Sequence, residues 1–337
     1  VSENLAEFGA ALTRAVVTDN TLELADGTSF LGQAMLGSKL FIRPCYKSFS
    51  EFILDGGSNG TTRNFVVTGT PGIGKSIFGF FLLYLLRCQG KSVVFESKHL
   101  WYRFSDAGVT RGLFASLVVA GYLDDVDSWY LSDPEDRPLE GFCGSTVVLV
   151  SPKRQRVHEF MKQASSERLF MPVWSLDELL ECQQAVFSHV PIPDVMKAFT
   201  KVGGVARVVL GATDLELYES NMKKLALQMD LAVLRDALLS SNSDAFTDST
   251  GDVLFHICPT PDEGFRYFTI EYASCFAFEL VANSAKQKGT GEFERLMSDV
   301  FGNEEYRKSL GGMLTGRVFE VASHIAVGGP GDERTFN

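Results

Sequence analysis

The sequence lacks the features that define several classes of protein. Its six cysteines are scattered without a C-x-x-C pair, so neither a zinc site nor a disulfide framework is expected. We therefore expect free and mostly buried thiols, which are typical of an intracellular protein. The longest apolar run, Ile77–Leu86, is about half of the ~20 residues that span a bilayer, which excludes integral membrane association. Because the chain begins with Val1 and has no targeting segment, we expect it to be part of a longer protein.

An excess of basic residues is also absent. Acidic residues outnumber basic ones by 42 to 31, and the net charge of −11 argues against non-specific binding to nucleic acid. The composition is otherwise that of a globular protein, with 45% hydrophobic and 22% charged residues among 337. Any contact with nucleic acid would therefore need a local basic patch.

Strand–helix alternation begins at Asn64 and predicts an α/β core with a parallel sheet. The expected strands are Phe65–Thr68, Ser92–Glu96, Trp129–Ser132, Thr146–Val150 and Arg168–Val173. The predicted organisation is a lead-in segment (1–60), the core (61–190), a helical lid (191–240) and a small α+β C-terminal region (241–337). In the last region Val253–Cys258 and Phe265–Glu271 predict a hairpin, and Ser240–Asp252 is the expected linker.

One motif carries specific chemistry. Residues Gly69-Thr70-Pro71-Gly72-Ile73-Gly74-Lys75-Ser76 match G-x-x-x-x-G-K-[ST] between a predicted strand and a predicted helix, Lys75–Cys88. The glycines let the backbone N–H groups point inward toward phosphate oxygens, and the helix N-terminus adds partial positive charge. The Lys75 side chain, expected to be exposed in the loop cavity, would meet the β- and γ-phosphates, and the Ser76 hydroxyl would bind Mg²⁺. The motif predicts a site for ATP, or another NTP, with Mg²⁺.

A loop of this kind needs a second carboxylate for Mg²⁺ at the end of a buried strand. Asp133 follows the apolar strand Trp129–Ser132 and is the preferred metal ligand. Asp124 is the alternative, but it ends a glycine-containing run that we interpret as a helix end and turn. A water-aligning glutamate often follows the aspartate directly; here Glu135 is one place late, so it is either that catalytic residue or a solvated loop carboxylate.

Two further polar residues are candidates for the nucleotide site. Ser151 follows a predicted strand, where it would sense the γ-phosphate or cap the strand end. Arg207 follows Gly203-Gly204 in the helical lid, and it would either reach the γ-phosphate as a catalytic arginine or lie on a helix surface. The sequence leaves both alternatives open.

Together these motifs resemble the NTPase region of the Crinkler effectors of oomycetes and some fungi, which are related to retrotransposon hot spot proteins. The segments that carry the resemblance, besides the 69–76 motif, are Phe41-Ile42-Arg43-Pro44-Cys45-Tyr46, Tyr130-Leu131-Ser132-Asp133, Ser151-Pro152-Lys153-Arg154-Gln155, Met171-Pro172-Val173-Trp174-Ser175-Leu176-Asp177-Glu178-Leu179 and Gly203-Gly204-Val205-Ala206-Arg207. The resemblance runs in order through residues 35 to 210.

The resemblance implies a P-loop NTPase of the additional-strand class, in which the magnesium strand is not adjacent to the loop strand. It also implies secretion into a host cell, action in the host nucleus, and contact with host DNA, RNA or nuclear proteins. Gly316-Arg317-Val318-Phe319-Glu320 looks like the opening of a nuclease-like domain, which would be truncated here. Because no glutamate directly follows Asp133, slow hydrolysis is expected.

Overall fold

The computed structural model describes residues 3–113, 124–134, 141–151, 160–162, 166–211, 213–229, 251–260 and 264–289, with a few single residues between and after these ranges. The helices are α1 (Glu3–Leu12), α2 (Pro44–Leu54), α3 (Lys75–Cys88), α4 (Leu176–Ala185), α5 (Ile192–Val202), α6 (Ala206–Val209), α7 (Leu215–Gln228), α8 (Gly251–Leu254) and α9 (Cys275–Lys288). The strands are β1 (Val16–Thr18), β2 (Thr21–Glu23), β3 (Lys39–Phe41), β4 (Asn64–Thr68), β5 (Val93–Lys98), β6 (Leu100–Ser105), β7 (Gly108–Leu113), β8 (Trp129–Pro134), β9 (Ser145–Leu149), β10 (Ser166–Phe170), β11 (Phe255–Pro259) and β12 (Phe268–Tyr272).

A mostly parallel sheet forms the centre of the molecule, as predicted for an α/β core. Its strand order is β10-β4-β9-β8-β5-β6-β7. The first five of these strands run parallel, and β6 and β7 continue the sheet in antiparallel fashion. One strand, β9, therefore lies between β4 and β8. All five parallel strands end at the same edge, which is where ligands bind in sheets of this kind.

The central strands are buried because helices cover the sheet. Phe65, Val67, Leu131 and Leu149 lie in the same apolar core as Phe78 of α3. Such continuous apolar runs are typical of parallel strands that are covered on both faces. The β6–β7 hairpin was not predicted, because most of β7 is exposed and its residues lack the apolar alternation that marks a strand.

The N-terminal segment packs onto this core. Strands β1, β2 and β3 form a small antiparallel sheet of their own. Aromatic contacts join the segment to the rest, with ring centroids 5.7 Å apart for Phe8 and Phe104 and 5.1 Å apart for Phe30 and Phe80. The helix α2 then leads directly to the strand β4.

The C-terminal hairpin is present and packs on the edge strand β10. β11 and β12 pair in antiparallel register. The Phe170 N–H donates to the Phe265 carbonyl at 2.8 Å, and the rings of Phe170 and Phe268 are 4.4 Å apart. Most of the expected linker and the 316–320 segment lie outside the described residues.

The six cysteines are free, but they are not mostly buried. Only Cys45 and Cys182 are buried, whereas Cys88 and Cys143 are exposed. The expectation of mostly buried thiols is therefore wrong.

Across the described ranges, no helix has the length and apolar character needed to cross a membrane.

A buried histidine joins the hairpin to the helix α5. His256 of β11 is 4% exposed, and among the described residues its Nε2 atom has no hydrogen-bond partner. Burial lowers the pKa of His256 to about 4, against the opposing effect of a hydrogen bond with the Val202 backbone. The side chain is therefore neutral in the folded protein at neutral pH.

We predict that this histidine makes the fold sensitive to mild acid. The unfolded chain protonates His256 near pH 6.5, whereas the folded chain resists protonation down to about pH 4. Stability that is fully present above pH 6.5 is thus lost as the pH falls through this window. Between pH 7 and pH 5, the free energy of unfolding should fall about 2 kcal/mol more in the parent than in His256→Gln, measured by urea denaturation. Equal pH dependence in the two proteins would contradict this assignment.

Candidate functional site

The 69–76 loop connects the end of β4 to the start of α3, as the motif predicts. Its three glycines have positive φ angles of 143° at Gly69, 82° at Gly72 and 101° at Gly74. The helix α3 begins at Lys75. The loop thus wraps around the N-terminus of a long buried helix, where unsatisfied N–H groups and the helix dipole favour an anion.

Lys75 closes the loop on itself. Its Nζ atom donates to the carbonyl oxygens of Gly69 at 2.8 Å and Thr70 at 2.9 Å. The residue is only 8% exposed, so the expectation of an exposed lysine is wrong. Lys75 is buried because its ammonium group binds two carbonyl oxygens of its own loop.

The following carbonyls of the loop are held by other parts of the chain. The Gly72 carbonyl accepts from the Arg207 N–H at 3.0 Å. The Ile73 carbonyl accepts from the Trp174 indole Nε1–H at 2.7 Å, with the Arg43 Nη1 at 3.4 Å. The Gly74 carbonyl accepts from the Tyr46 hydroxyl at 2.7 Å and from the Phe78 N–H of α3 at 3.0 Å. Each of these three carbonyls has a donor that comes from outside the loop.

The direction of these carbonyls fixes the direction of the N–H groups. No cis peptide bond occurs among the described residues, and in a trans peptide the C=O and the next N–H point in opposite directions. With the carbonyls of residues 72, 73 and 74 turned toward the protein, the N–H groups of Ile73, Gly74 and Lys75 point away from those donors. Consecutive N–H groups at the start of a helix are the groups from which an anion-binding nest is formed.

A buried ion pair supports this arrangement. The Arg43 guanidinium is fully buried, and its Nε and Nη2 atoms each lie 3.1 Å from an oxygen of Glu178. Arg43 also donates to the carbonyls of Pro172 and Val173 and lies 4.4 Å from the centre of the Trp174 ring. Glu178 completes a capping box with Ser175 at the start of α4. We call Arg43, Tyr46, Trp174 and Glu178 the carbonyl frame.

Glycine is required at two loop positions by this packing as well as by backbone conformation. A Cβ atom on Gly74 would lie 2.5 Å from the Tyr46 hydroxyl oxygen. A Cβ atom on Gly72 would lie 3.1 Å from side-chain atoms of Val205 and Arg207. Glycine at positions 72 and 74 therefore leaves room for the carbonyl frame and the 203–207 segment, and it also allows the positive φ angles of the turn.

Asp133 and Ser151 lie at the same edge of the sheet as the loop. Asp133 is in β8 opposite Ser97 of β5 and is half-buried, and Ser151 comes just after β9 and is also half-buried. Side chains alternate along a strand, so Asp133 lies on the face that Leu131 shares with α3. Asp124 lies in an exposed turn, whereas Glu135 lies outside the described residues.

A buried carboxylate that was not predicted lies on β5, the strand that pairs with the Asp133 strand. Glu96 of β5 is 2% exposed and accepts hydrogen bonds from the hydroxyls of Tyr130 and Ser132. Burial raises the pKa of Glu96, the two hydroxyl donors oppose this, and the Asp133 charge adds to the rise. Ser132 and Asp133 alternate across β8, so Glu96 lies on the face opposite Asp133 and braces the strand. No local pattern in the sequence marks it, because both of its hydrogen-bond partners lie on another strand.

The 203–207 segment and the C-terminal hairpin both contact the loop. The Arg207 side chain is exposed, and its backbone bond to Gly72 places it beside the loop. The Thr70 hydroxyl accepts from the Ile257 N–H of β11 at 3.0 Å. The Trp174 backbone N–H donates to the Gly204 carbonyl at 3.0 Å, which connects the frame to the 203–207 segment.

Two known effector proteins are similar to this chain. The chain is 30% identical to Crinkler effector protein 16 of Phytophthora infestans over 294 residues, or 85% of this chain and 45% of that protein. It is 29% identical to Crinkler effector protein 15 of the same organism over 294 residues, or 85% of this chain and 46% of that protein. No family model matches the chain. The chain is thus homologous to Crinkler effector proteins and spans about half the length of these relatives.

The ion pair of the frame leads to a stability prediction. Glu178→Ala removes the carboxylate partner of the buried Arg43 and the capping box, so the free energy of unfolding should fall by about 3 kcal/mol. Glu181→Ala, at an exposed position of the same helix, is the control and should change it by less than about 0.5 kcal/mol. Chemical denaturation measures both variants. Equal effects would mean that the pair does not stabilise the fold.

Proposed function

We propose that this chain binds ATP, or another NTP, with Mg²⁺ and hydrolyses it slowly as a P-loop NTPase. The observation that carries the proposal is the orientation of the 69–76 loop. The carbonyls of Gly72, Ile73 and Gly74 are committed to donors on the protein side, and the next three N–H groups face the other way at a helix N-terminus. The strand order, with β9 between the loop strand and the Asp133 strand, supports the additional-strand class.

The residues present fit the proposed cofactor. Ser76 opens α3 directly after Lys75, and Asp133 lies at the same edge on the α3 face, which provides a hydroxyl and a carboxylate oxygen, the ligand types that Mg²⁺ prefers. When bound, Mg²⁺ would neutralise charge on the β- and γ-phosphates. We propose that Lys75 exchanges its loop carbonyls for phosphate oxygens, which keeps the ammonium group paired in both states.

The remaining sequence candidates have defined parts in this proposal. Ser151 would contact the γ-phosphate from the end of β9. Arg207, whose backbone lies against the loop, would stabilise charge that grows in the transition state. Glu135 would align the attacking water. Pro134 occupies the position directly after Asp133, so the usual glutamate is missing there and turnover is expected to be slow.

A nucleotide-gated interaction module is the second candidate. The observation that favours it is the hydrogen bond from the β11 backbone to Thr70, together with the bond from Arg207 to Gly72. The loop is bonded to both the lid segment and the C-terminal hairpin, so a change of loop conformation on nucleotide binding would move both. In this alternative, partner binding is the output and hydrolysis is absent.

Homology to two Crinkler effector proteins supports an effector role. We propose that the chain acts after secretion into a host cell, in the host nucleus, on host nucleic acid or nuclear proteins. The net charge of −11 favours a protein partner or a local basic contact over general attraction to nucleic acid.

The first test of the proposed function is Lys75→Ala. Loss of the ammonium group should weaken Mg-ADP binding at least tenfold, because a charge-assisted contact to phosphate disappears. Isothermal titration calorimetry measures the affinity, and far-UV circular dichroism checks the fold. Lys91→Ala, an exposed lysine beyond α3, is the control and should bind as the parent does. Parent-like binding by Lys75→Ala would refute the nucleotide site.

A second test concerns the magnesium carboxylate. Asp133→Asn should reduce Mg²⁺-dependent phosphate release by orders of magnitude, because the proposed metal ligand loses its charge. Asp124→Asn, in the exposed turn before β8, should leave it unchanged. Phosphate release from Mg-ATP is compared in both variants. The reverse pattern would move the metal ligand to Asp124. If the parent binds nucleotide but its phosphate release is no faster than that of Lys75→Ala, the interaction module is favoured.

A further inference from the structure

Three side chains from outside the loop donate to two adjacent loop carbonyls. Trp174 and Arg43 converge on the Ile73 carbonyl, and Tyr46 reaches the Gly74 carbonyl. They come from two separate parts of the chain: Arg43 and Tyr46 lie at the start of α2, and Trp174 lies between β10 and α4. The Glu178 carboxylate holds Arg43 in place through two bonds of 3.1 Å.

The chemistry of these donors selects one orientation of the loop peptides. An indole N–H and a guanidinium can donate but not accept, so they can pair with a carbonyl and never with an N–H. Burial raises the pKa of the Tyr46 phenol, which keeps its hydroxyl protonated and able to donate. If the peptide between Ile73 and Gly74 flipped, it would turn its N–H toward the two donor-only groups and leave buried donors without an acceptor.

We propose that Tyr46 and Trp174, supported by the Arg43–Glu178 pair, are positioning residues for phosphate binding. This inference rests on the proposed nucleotide site. Glycine at 72 and 74 gives the loop the conformational freedom to flip its peptides, at an entropic cost when it is ordered. The frame removes that freedom at the Ile73–Gly74 peptide, and Tyr46 together with the Phe78 N–H fixes the Gly74–Lys75 peptide, so the N–H groups of Gly74 and Lys75 already face the phosphate side before the ligand arrives. Preorganisation of this kind raises affinity because the ligand does not have to order the loop.

The Trp174 and Tyr46 rings also pack in the apolar core, so a test of their hydrogen bonds has to keep that packing. The Trp174 ring lies 5.8 Å from the Phe41 ring, and the Tyr46 ring lies 5.4 Å from the Phe78 ring. Tyr46→Phe keeps the ring and removes only the hydroxyl donor, whereas Trp174→Phe keeps an aromatic ring but removes the indole N–H together with part of the fused ring, so the thermal midpoint is measured for each variant. Trp174→Phe and Tyr46→Phe are therefore the informative variants, and Tyr102→Phe is the matched control, since Tyr102 is a buried tyrosine of β6 distant from the loop in the sheet order.

The experiment measures Mg-ADP dissociation constants by calorimetry, with the thermal midpoint of each variant, at a temperature where circular dichroism shows every variant to be folded. Trp174→Phe and Tyr46→Phe should each bind about tenfold more weakly than the parent, the size expected for one lost hydrogen bond to an ordered group. The control should bind as the parent does. The double variant should lose less than the product of the single losses, because both donors hold neighbouring peptides.

The outcomes distinguish this inference from the function on which it rests. If the parent binds Mg-ADP in a Lys75-dependent manner and both phenylalanine variants bind equally well, the positioning role is refuted and the nucleotide site stands. Affinity that falls only with the thermal midpoint, to the same extent as in Tyr102→Phe, would also refute it by indicating a merely structural role. If the parent does not bind Mg-ADP at all, the proposed function and this inference fail together.

Discussion

The structure depends on where the carbonyl groups of one short loop can find donors. Buried backbone groups cannot be left without partners, and the loop between β4 and α3 lies against the protein interior on one side. Lys75 serves the carbonyls at the start of the loop, and Arg207, Trp174 and Tyr46 serve those that follow. The donors to the Gly72, Ile73 and Gly74 carbonyls thereby turn the N–H groups of Ile73, Gly74 and Lys75 the other way.

The same requirement explains how distant segments of the chain assemble. The N-terminal segment contributes Arg43 and Tyr46, the stretch after β10 contributes Trp174, and the 203–207 segment contributes Arg207, all to one loop. The hairpin after residue 254 adds the Ile257 N–H to Thr70. Residues 3–60 precede the central sheet in the chain. They nevertheless contribute two members of the carbonyl frame, Arg43 and Tyr46. A ligand in the loop would act on all of these segments.

The parts of the fold that depend on local pattern could be predicted from the sequence. The strand–helix alternation gave the parallel strands, and Lys75–Cys88 was predicted with the bounds that the structure has. The exposed β7 escaped detection because it has no apolar periodicity. For the site, the 69–76 motif identified the loop, but pairings such as Arg43 with Glu178, 135 positions apart in sequence, have no local signal. Glu96 was missed for the same reason, since its partners lie on another strand.

The most direct test of the account is a crystal structure of the chain with Mg²⁺ and ADP. The account predicts phosphate oxygens within hydrogen-bond distance of the N–H groups of Ile73, Gly74 and Lys75, with the Ile73 and Gly74 carbonyls still bound by Trp174 and Tyr46. Ser76 and Asp133 should lie on the Mg²⁺ side of the β-phosphate. Nucleotide bound elsewhere, or a loop whose peptides have flipped away from the frame to receive it, would contradict the account.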